Sequence, residues 1–382
     1  MLKHEIGLRK IIEKRISQGS NYMEILRSIY GADPREVWEI YKEYKQETSR
    51  KIDLINLYLD LPEPHPAYSQ WRITSESTKI VLSKIINKNY EKVCFLGCPV
   101  LGIEFSKLYP NKSILLDIDK DILDSAKKFA ETKIYDINNE LPNELKNQFE
   151  CVICDPPWYY EDIKLFIKRA TELTKIGGTI YLSIPSLLTK PSIVNERLEL
   201  QRWLSSIGLI IAEMSQIVEY EVPPFEYMAY QDIPAFTGEI WRKGDWVKLK
   251  KSKDCKIDVD IIKHDDWLEY TIDKKRIFLK ERINNETYEK PELSYLYLNK
   301  SLILNSVSKR NPLISRIDLW SSRNAILHID NGFSVIKTIL ENINKSDDEI
   351  MDIISKQYKK EIEQVRLDCI EAINLLRRLV EA

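Results

Sequence analysis

Between residues 93 and 185 short apolar runs alternate with amphipathic segments, and this alternation constrains the fold more than any other feature of the chain. VCFLGCP (93–99), SILLDID (113–119), ETKIYDI (131–137), FECVICD (149–155) and GGTIYLSIP (177–185) read as strands, the last opened by paired glycines. LGIEFSKLY, DILDSAKKFAE and EDIKLFIKRATELTKI between them carry helical periodicity. Strands and helices alternating at this spacing predict a parallel, doubly wound sheet. Beyond the helix NERLELQRWLSSIG, the segments LIIAEMSQIVEYE and FEYMAYQ would add two further strands, one antiparallel.

A chain of 382 residues exceeds one ordinary domain, so flanking modules are expected. Residues 4–50 hold HEIGLRKIIEKRI, YMEILRSIY and PREVWEIYKEYK, whose apolar spacing predicts three helices, with Asp33-Pro34 opening the last. They would form a winged-helix-like module over 1–60, closed by the proline-rich LPEPHP at 61–66. The Rossmann-type domain is expected over 61–235, a charged β-rich bridge over 236–300, and a helical, winged-helix-like module over 301–382. In the last of these, Ser346 with Glu349 makes a capping box.

Composition narrows the setting. With 43% hydrophobic and 30% charged residues the chain reads as globular, and a net charge of −2 provides no global field for nucleic acid. The charged amino terminus does not read as a signal peptide and no segment reads as a membrane span, so a cytoplasmic location is expected. Cys94, Cys98, Cys151 and Cys154 lie in apolar strand-like runs, where residues three apart face opposite ways. They are expected to be packing residues, with no metal site.

In an open parallel sheet the ligand lies beyond the carboxyl ends of the strands. Leu96-Gly97-Cys98-Pro99 is the turn after the first strand, but a full glycine fingerprint is absent. A pyrophosphate cofactor needs that fingerprint, whereas an adenosyl-sulfonium donor tolerates a looser turn. Asp117 ends the second strand, with Ile118 beside it, and its carboxylate can accept both hydroxyls of a ribose. Asp136 closes the third strand, where it would meet an adenine amino group. Leu96, Gly97, Cys98, Asp117, Ile118 and Asp136 are therefore the candidate donor-binding residues.

Cys154-Asp155-Pro156-Pro157-Trp158-Tyr159 closes the fourth strand and carries the chemistry. A planar NH₂ group is a poor nucleophile because its lone pair is delocalised. The Asp155 carboxylate and the Pro156 carbonyl can each accept an N–H, which turns the lone pair toward a sulfonium carbon. The prolines stiffen the turn, Trp158 offers a face for a planar acceptor, and Tyr159 could do the same. Asp155, Pro156 and Trp158 are the candidate catalytic residues.

From about Pro62 to Pro185 the chain resembles the branched-chain polyamine synthases, which aminopropylate amines with decarboxylated S-adenosylmethionine. The resemblance rests on EPHPAYSQWRITSEST, CFLG, LLDID and CDPP, and extends toward Glu219-Tyr220. It implies the class I, S-adenosylmethionine-dependent methyltransferase-like Rossmann fold, with Gln70, Glu219 and Tyr220, besides Tyr159, on the acceptor side. Where that family has glycine and three aspartates, this chain reads Gly97-Cys98-Pro99-Val100, a neutral turn. Asp-Pro-Pro-Trp is in turn similar to the motif of amino-methyltransferases that modify nucleobase or amide nitrogens.

S-adenosyl-L-methionine with methyl transfer to a nucleobase or peptide nitrogen is accordingly expected. The alternative is aminopropyl or aminocarboxypropyl transfer, with a polyamine acceptor in the aminopropyl case. Residues Asn324 to Leu379 resemble the small winged helix that binds leader peptides. Peptide binding, nucleic-acid docking and a packing or homodimer role stand as its alternatives.

Overall fold

The computed structural model describes residues 2–45, 61–261, 265–272, 274–282 and 287–382, so the expected end of the helical module at 46–60 lies outside the described residues. The chain divides into two compact units. The first comprises residues 1–61, 71–222 and 233–263; the second comprises 62–70, 223–232 and 264–382.

The first unit begins with α1 (Leu2–Ser17), α2 (Tyr22–Ser28) and α3 (Pro34–Tyr41). Asn21 and Glu24 form a capping box at α2, and Asp33 caps α3 with Pro34 in its first turn. These are helices alone; among the described residues of this segment no strand supplies a wing. Next come α4 (Ser75–Ile86), β1 (Val93–Leu96), α5 (Pro99–Leu108), β2 (Ser113–Asp117), α6 (Lys120–Ala126) and β3 (Glu131–Ile134). They are followed by β4 (Phe149–Cys154), α7 (Tyr160–Leu173), β5 (Thr174–Pro185), α8 (Ile193–Ser206) and β6 (Leu209–Glu219). The short α9 (Pro224–Ala229) is counted with the second unit, and β7 (Lys243–Lys251) returns to the first.

Seven strands form one sheet in the order β3-β2-β1-β4-β5-β7-β6. β1 to β5 are parallel, and β7 runs antiparallel between β5 and β6. This is the class I methyltransferase-like Rossmann arrangement. Side chains alternate between two cores. Cys94, Leu96, Val152, Cys154 and Leu182 pack with α7 and α8 on one face, while Phe95, Leu115, Cys151, Ile153 and Trp246 pack with α4 and α5 on the other. Cys94, Cys98, Cys151 and Cys154 are buried free thiols, as their apolar surroundings predict.

Two expectations are corrected. FEYMAYQ is not a strand: Pro223-Pro224 opens a helix, and α9 follows. WVKLKK belongs to no bridge. Its alternating pattern puts Trp246, Val247 and Leu249 into the core while Lys248 and Lys250 look outward, and the run becomes β7 of the main sheet.

The second unit holds β8 (Trp267–Ile272), β9 (Lys275–Lys280), β10 (Glu292–Ser294), β11 (Leu319–Ser321) and β12 (Ile326–Asn331), an antiparallel sheet in the order β10-β12-β11-β9-β8. It joins the expected bridge and carboxy-terminal segments into one body, closed by α10 (Phe333–Glu341), α11 (Asp347–Tyr358) and α12 (Ile362–Glu381). Ser346 and Glu349 form the capping box that opens α11. No helix among the described residues is long and apolar enough to cross a membrane.

One buried cation ties β7 to α7. Lys251 is 2% exposed, and its ammonium donates to the Thr171 and Thr174 carbonyls at 2.9 and 2.6 Å and to Asn147 Oδ1 at 2.8 Å. It also pairs with Asp254 at 2.7 Å. The last turn of α7 thus receives donors and a positive charge where its carbonyls point. Lys251→Met, similar in length but without donors, should destabilise the fold by about 2–4 kcal/mol in urea unfolding. A loss below about 0.5 kcal/mol would show that water replaces the ammonium.

Candidate active site

The carboxyl ends of β1, β2 and β4 supply the first half of the site. Gly97 follows β1 with φ +64°, and a Cβ there would meet the Phe166 ring at 2.9 Å, so glycine is required twice over. Cys98 stands just before α5, and its thiol is turned inward, donating to the Ile153 carbonyl at 3.3 Å. Only the backbone of this turn is therefore placed to serve a ligand. Burial pushes the Cys98 thiol well above its usual range; Asp155 and Asp117 act in the same direction, which brings the three strand ends into one electrostatic neighbourhood.

Asp117 ends β2, nearly buried, and its Oδ1 accepts the Asp119 N–H at 2.9 Å. Asp119 in turn caps α6 through the N–H groups of Asp121 and Ile122. The tight turn holds the Asp117 carboxylate in place, while Ile118 beside it is 41% exposed, an apolar side chain left open at the strand end. Asp136 differs from its expected place. β3 ends at Ile134, and Asp136 Oδ1 accepts the Asn138 N–H and side-chain amide at 2.9 and 3.1 Å. The Asp-Ile-Asn turn draws that oxygen into a local hydrogen bond.

The second half is built around Asp155, the first residue past β4. It keeps some access to solvent while its carboxyl is densely surrounded by protein. Burial pushes it up to about 7, against the Tyr220 hydroxyl and the Arg242 guanidinium, which both favour the carboxylate. Tyr220 Oη lies 2.6 Å from Asp155 Oδ1 and 2.6 Å from Ser183 Oγ. One phenolic hydrogen cannot serve both, so Tyr220 donates to Asp155 and accepts from Ser183. Burial and the neighbouring carboxylate hold the Tyr220 phenol well above its usual range, which keeps it a donor.

Trp158 departs from its expected role. It is 7% exposed, with the Tyr220 ring edge-on at 5.3 Å, and the Arg242 guanidinium lies 4.1 Å from its ring centroid. The guanidinium lies equally close to the ring of Trp71, at 4.1 Å, so two indoles hold one cation. Trp158 therefore seats Arg242, and that face is not open to a stacked acceptor. Gly244 permits this packing, since a Cβ there would meet Trp158 Cζ2 at 2.7 Å.

Pro156 is buried, and Tyr159 stands half-buried at the start of α7. Glu219 does not join the set, because its carboxylate pairs with Lys243 at 2.7 Å. Gln70 is counted with the second unit, where its Oε1 accepts the His65 N–H at 2.8 Å and the Arg276 guanidinium at 3.2 Å. Sequence reasoning missed Trp71, Ser183 and Arg242. The Trp-Arg pair at 241–242 stood in view, but nothing local to it announces its partners.

The chain matches the profile of the branched-chain polyamine synthase A C-terminal domain over residues 53–272. The C9 mutein of the Thermus thermophilus branched-chain polyamine synthase, solved with N4-aminopropylspermidine and 5'-methylthioadenosine, aligns at 16% identity and TM-score 0.52, covering 68% of this chain and 96% of that one. The parent Thermus enzyme aligns at 19% identity and TM-score 0.48, over 54% of this chain and 64% of that one. An uncharacterized protein of Methanocaldococcus jannaschii is 32% identical over 135 residues, which is 34% of this chain and 32% of that protein. The chain thus spans about a third of the curated relative it matches. The seven-stranded order, the strand-end aspartates and the profile match over more than half its length agree: the chain belongs to the branched-chain polyamine synthase A C-terminal domain family.

Proposed function

We propose that this protein transfers a group from an S-adenosyl donor to an acceptor nitrogen held at Asp155, and that the group is the methyl of S-adenosylmethionine. The observation that carries the proposal is the Asp155 carboxyl, fixed by the Tyr220 hydroxyl at 2.6 Å beside the strand ends of Gly97 and Asp117. These residues fit the donor. The positive φ of Gly97 opens the backbone before α5, the Asp117 carboxylate suits ribose hydroxyls, and exposed Ile118 suits one side of an adenine. When bound, the sulfonium supplies an electrophilic carbon.

The protein's own task is to present the nitrogen. Ionised Asp155 accepts one N–H and the Pro156 carbonyl a second, which localises the lone pair and orients it. As the new N–C bond forms, the donor's S–C bond would break and leave a neutral thioether, and the surplus nitrogen proton passes to Asp155, whose elevated affinity suits it to receive that proton near neutrality. Tyr220, anchored by Ser183, keeps the accepting oxygen from rotating away. Methyl transfer is favoured over aminopropyl transfer by the turn Gly97-Cys98-Pro99, which has no carboxylate to balance a lone ammonium tail. An amino-acid tail brings its own carboxylate to the start of α5, where helix N–H groups favour an anion. Family membership favours the second reading, aminopropyl transfer from the decarboxylated donor. In the second unit, the edge strands β10 and β8 are where an extended peptide could add to the sheet.

The two halves of the site should separate by mutation. In calorimetric titration with S-adenosylhomocysteine, Asp117→Ala should weaken binding by about 2–4 kcal/mol through lost charge-assisted hydrogen bonds. Asp155→Asn should leave that affinity within about threefold while reducing turnover by about 10²–10³. Donor affinity lost in Asp155→Asn and kept in Asp117→Ala would reverse the assignment.

The pH dependence has a definite sign. A carboxyl raised to about 7 is protonated at low pH and cannot take up the nitrogen's proton, so kcat/KM should rise with pH and level off above about 7. Tyr220→Phe removes a donor that favours the ionised form, so its rising limb should move to higher pH. The same carboxyl makes the fold lose stability as pH rises from about 4 to 7, because the unfolded chain releases this proton first. Asp155→Asn should remove that part of the stability slope in urea titrations. A Tyr220→Phe limb at or below the wild-type position would contradict the role given to the hydroxyl.

A further inference from the structure

The profile match begins at residue 53, so the three amino-terminal helices lie ahead of it, yet the loop between α2 and α3 is built into the acceptor half of the site. Gly31 in that loop has φ +69°, and a Cβ there would meet the Lys243 carbonyl oxygen at 2.9 Å, Ser186 Oγ at 3.0 Å and Thr189 Oγ1 at 3.1 Å. Glycine alone meets both demands, the left-handed backbone and the close approach. The Ser186 hydroxyl donates to the Tyr30 carbonyl, and the Thr189 hydroxyl donates to the Ser186 carbonyl at 2.9 Å. The Lys243 ammonium stands 5.3 Å from the centroid of the Tyr30 ring.

Both segments that this loop touches lead to residues framing Asp155. Lys243 opens β7 and stands opposite Glu219, next to Tyr220. On one side of it the Arg242 carbonyl accepts the Tyr220 N–H at 3.0 Å; on the other, Gly244 lies against the Trp158 ring, where a Cβ would approach Cζ2 to 2.7 Å. In the second segment, one residue past Thr189, the Lys190 ammonium reaches the Trp158 carbonyl at 3.5 Å and pairs with Glu196 at 2.6 Å. Two short paths therefore run from Gly31, one to Tyr220 and both to Trp158. A backbone carbonyl cannot swing aside as a side-chain tip can, and a close-packed interior passes a displacement on.

We infer that Gly31 is a positioning residue: through Lys243 and the Ser186–Lys190 loop it sets the place of the Tyr220 hydroxyl on Asp155, which makes the amino-terminal helices a working part of the acceptor half. The inference rests on the reading of Asp155 as the acceptor end and deepens it. A side chain at 31 would push β7 and the loop outward and loosen the hydroxyl that lies 2.6 Å from Asp155 Oδ1. Among the described residues, the ionisable groups that interact with Asp155 are Tyr220, Arg242, Cys98 and Cys154, and the paths from Gly31 reach the first two.

Infrared titration of the Asp155 carboxyl in the intact protein tests this without an acceptor. The signal is assigned by subtracting the Asp155→Asn form of the same protein, so that Glu221, also raised to about 7, cancels. Gly31→Ala should raise the midpoint by at least about half a pH unit, a roughly threefold change in proton affinity, in the same direction as Tyr220→Phe. Gly19→Ala is the control. Gly19, in the turn between α1 and α2, has φ +90° but nothing within 4 Å of its Cβ position, so the variant carries backbone strain alone and should leave the midpoint unmoved. Affinity for S-adenosylhomocysteine, read by calorimetry, should stay within about threefold in both. A Gly31→Ala midpoint unmoved or lowered, equal shifts in the two variants, or a parallel loss of donor affinity would overturn the inference alone. A wild-type Asp155 carboxyl that does not titrate near neutrality would overturn the reading of Asp155 together with it. If Gly31→Ala does not fold, Ser186→Ala, which removes only the donor to the Tyr30 carbonyl, decides by the same criteria with a smaller upward shift.

Discussion

A carboxyl group at the end of a central strand, surrounded by apolar sheet and helix side chains, has little water to solvate it, and here the Tyr220 hydroxyl takes that part at 2.6 Å. Much of the topology serves to deliver that hydroxyl. Tyr220 lies just past β6, the outermost strand, and reaches the centre because β6 is held by β7, which is held by β5. The Ile73–Tyr220 bridge and the Thr74 N–H to the Glu219 carbonyl fix the backbone at that point. Arg242 stands just ahead of β7, its guanidinium on the Trp158 ring that meets Tyr220 edge-on. A sheet that simply continued in parallel would bring neither residue to the fourth strand.

The electrostatics follow from that placement. Burial raises the proton affinity of Asp155, while a phenol and a guanidinium restrain the rise, leaving a group that exchanges its proton near neutrality. The turn on the donor side contributes no charge of its own, because Cys98 points into the core and Pro99 opens α5. In the donor half a neutral turn shaped by backbone lies beside the Asp117 carboxylate; in the other the Asp155 carboxyl meets the Tyr220 hydroxyl.

What the sequence revealed depended on whether a residue's partners were close in the chain. β1, β2 and β4 were legible because strands buried on both faces read as continuous apolar runs, and the strand-end positions of Asp117 and Asp155 were legible because they close such runs. β7 was misread because its outward face is lysine-rich, so half of a core strand resembled a charged bridge. FEYMAYQ was misread because its aromatic residues suggested a strand where paired prolines start a helix. Trp158 was found and its environment was not: the cation on its face arrives from residue 242, and no spacing rule connects the two. Asp136 lay two residues beyond its strand because a local turn captured its oxygen, an outcome decided by Asn138.

The central claim is that a strand-end site with a neutral donor turn uses S-adenosylmethionine itself. Calorimetric titration of the wild-type protein with S-adenosylmethionine and with its decarboxylated form, under the same buffer and salt, tests it most directly. The account predicts that S-adenosylmethionine binds at least tenfold more tightly, a difference of about 1.4 kcal/mol. A tenfold preference for the decarboxylated donor would contradict it and make aminopropyl transfer the activity of this site.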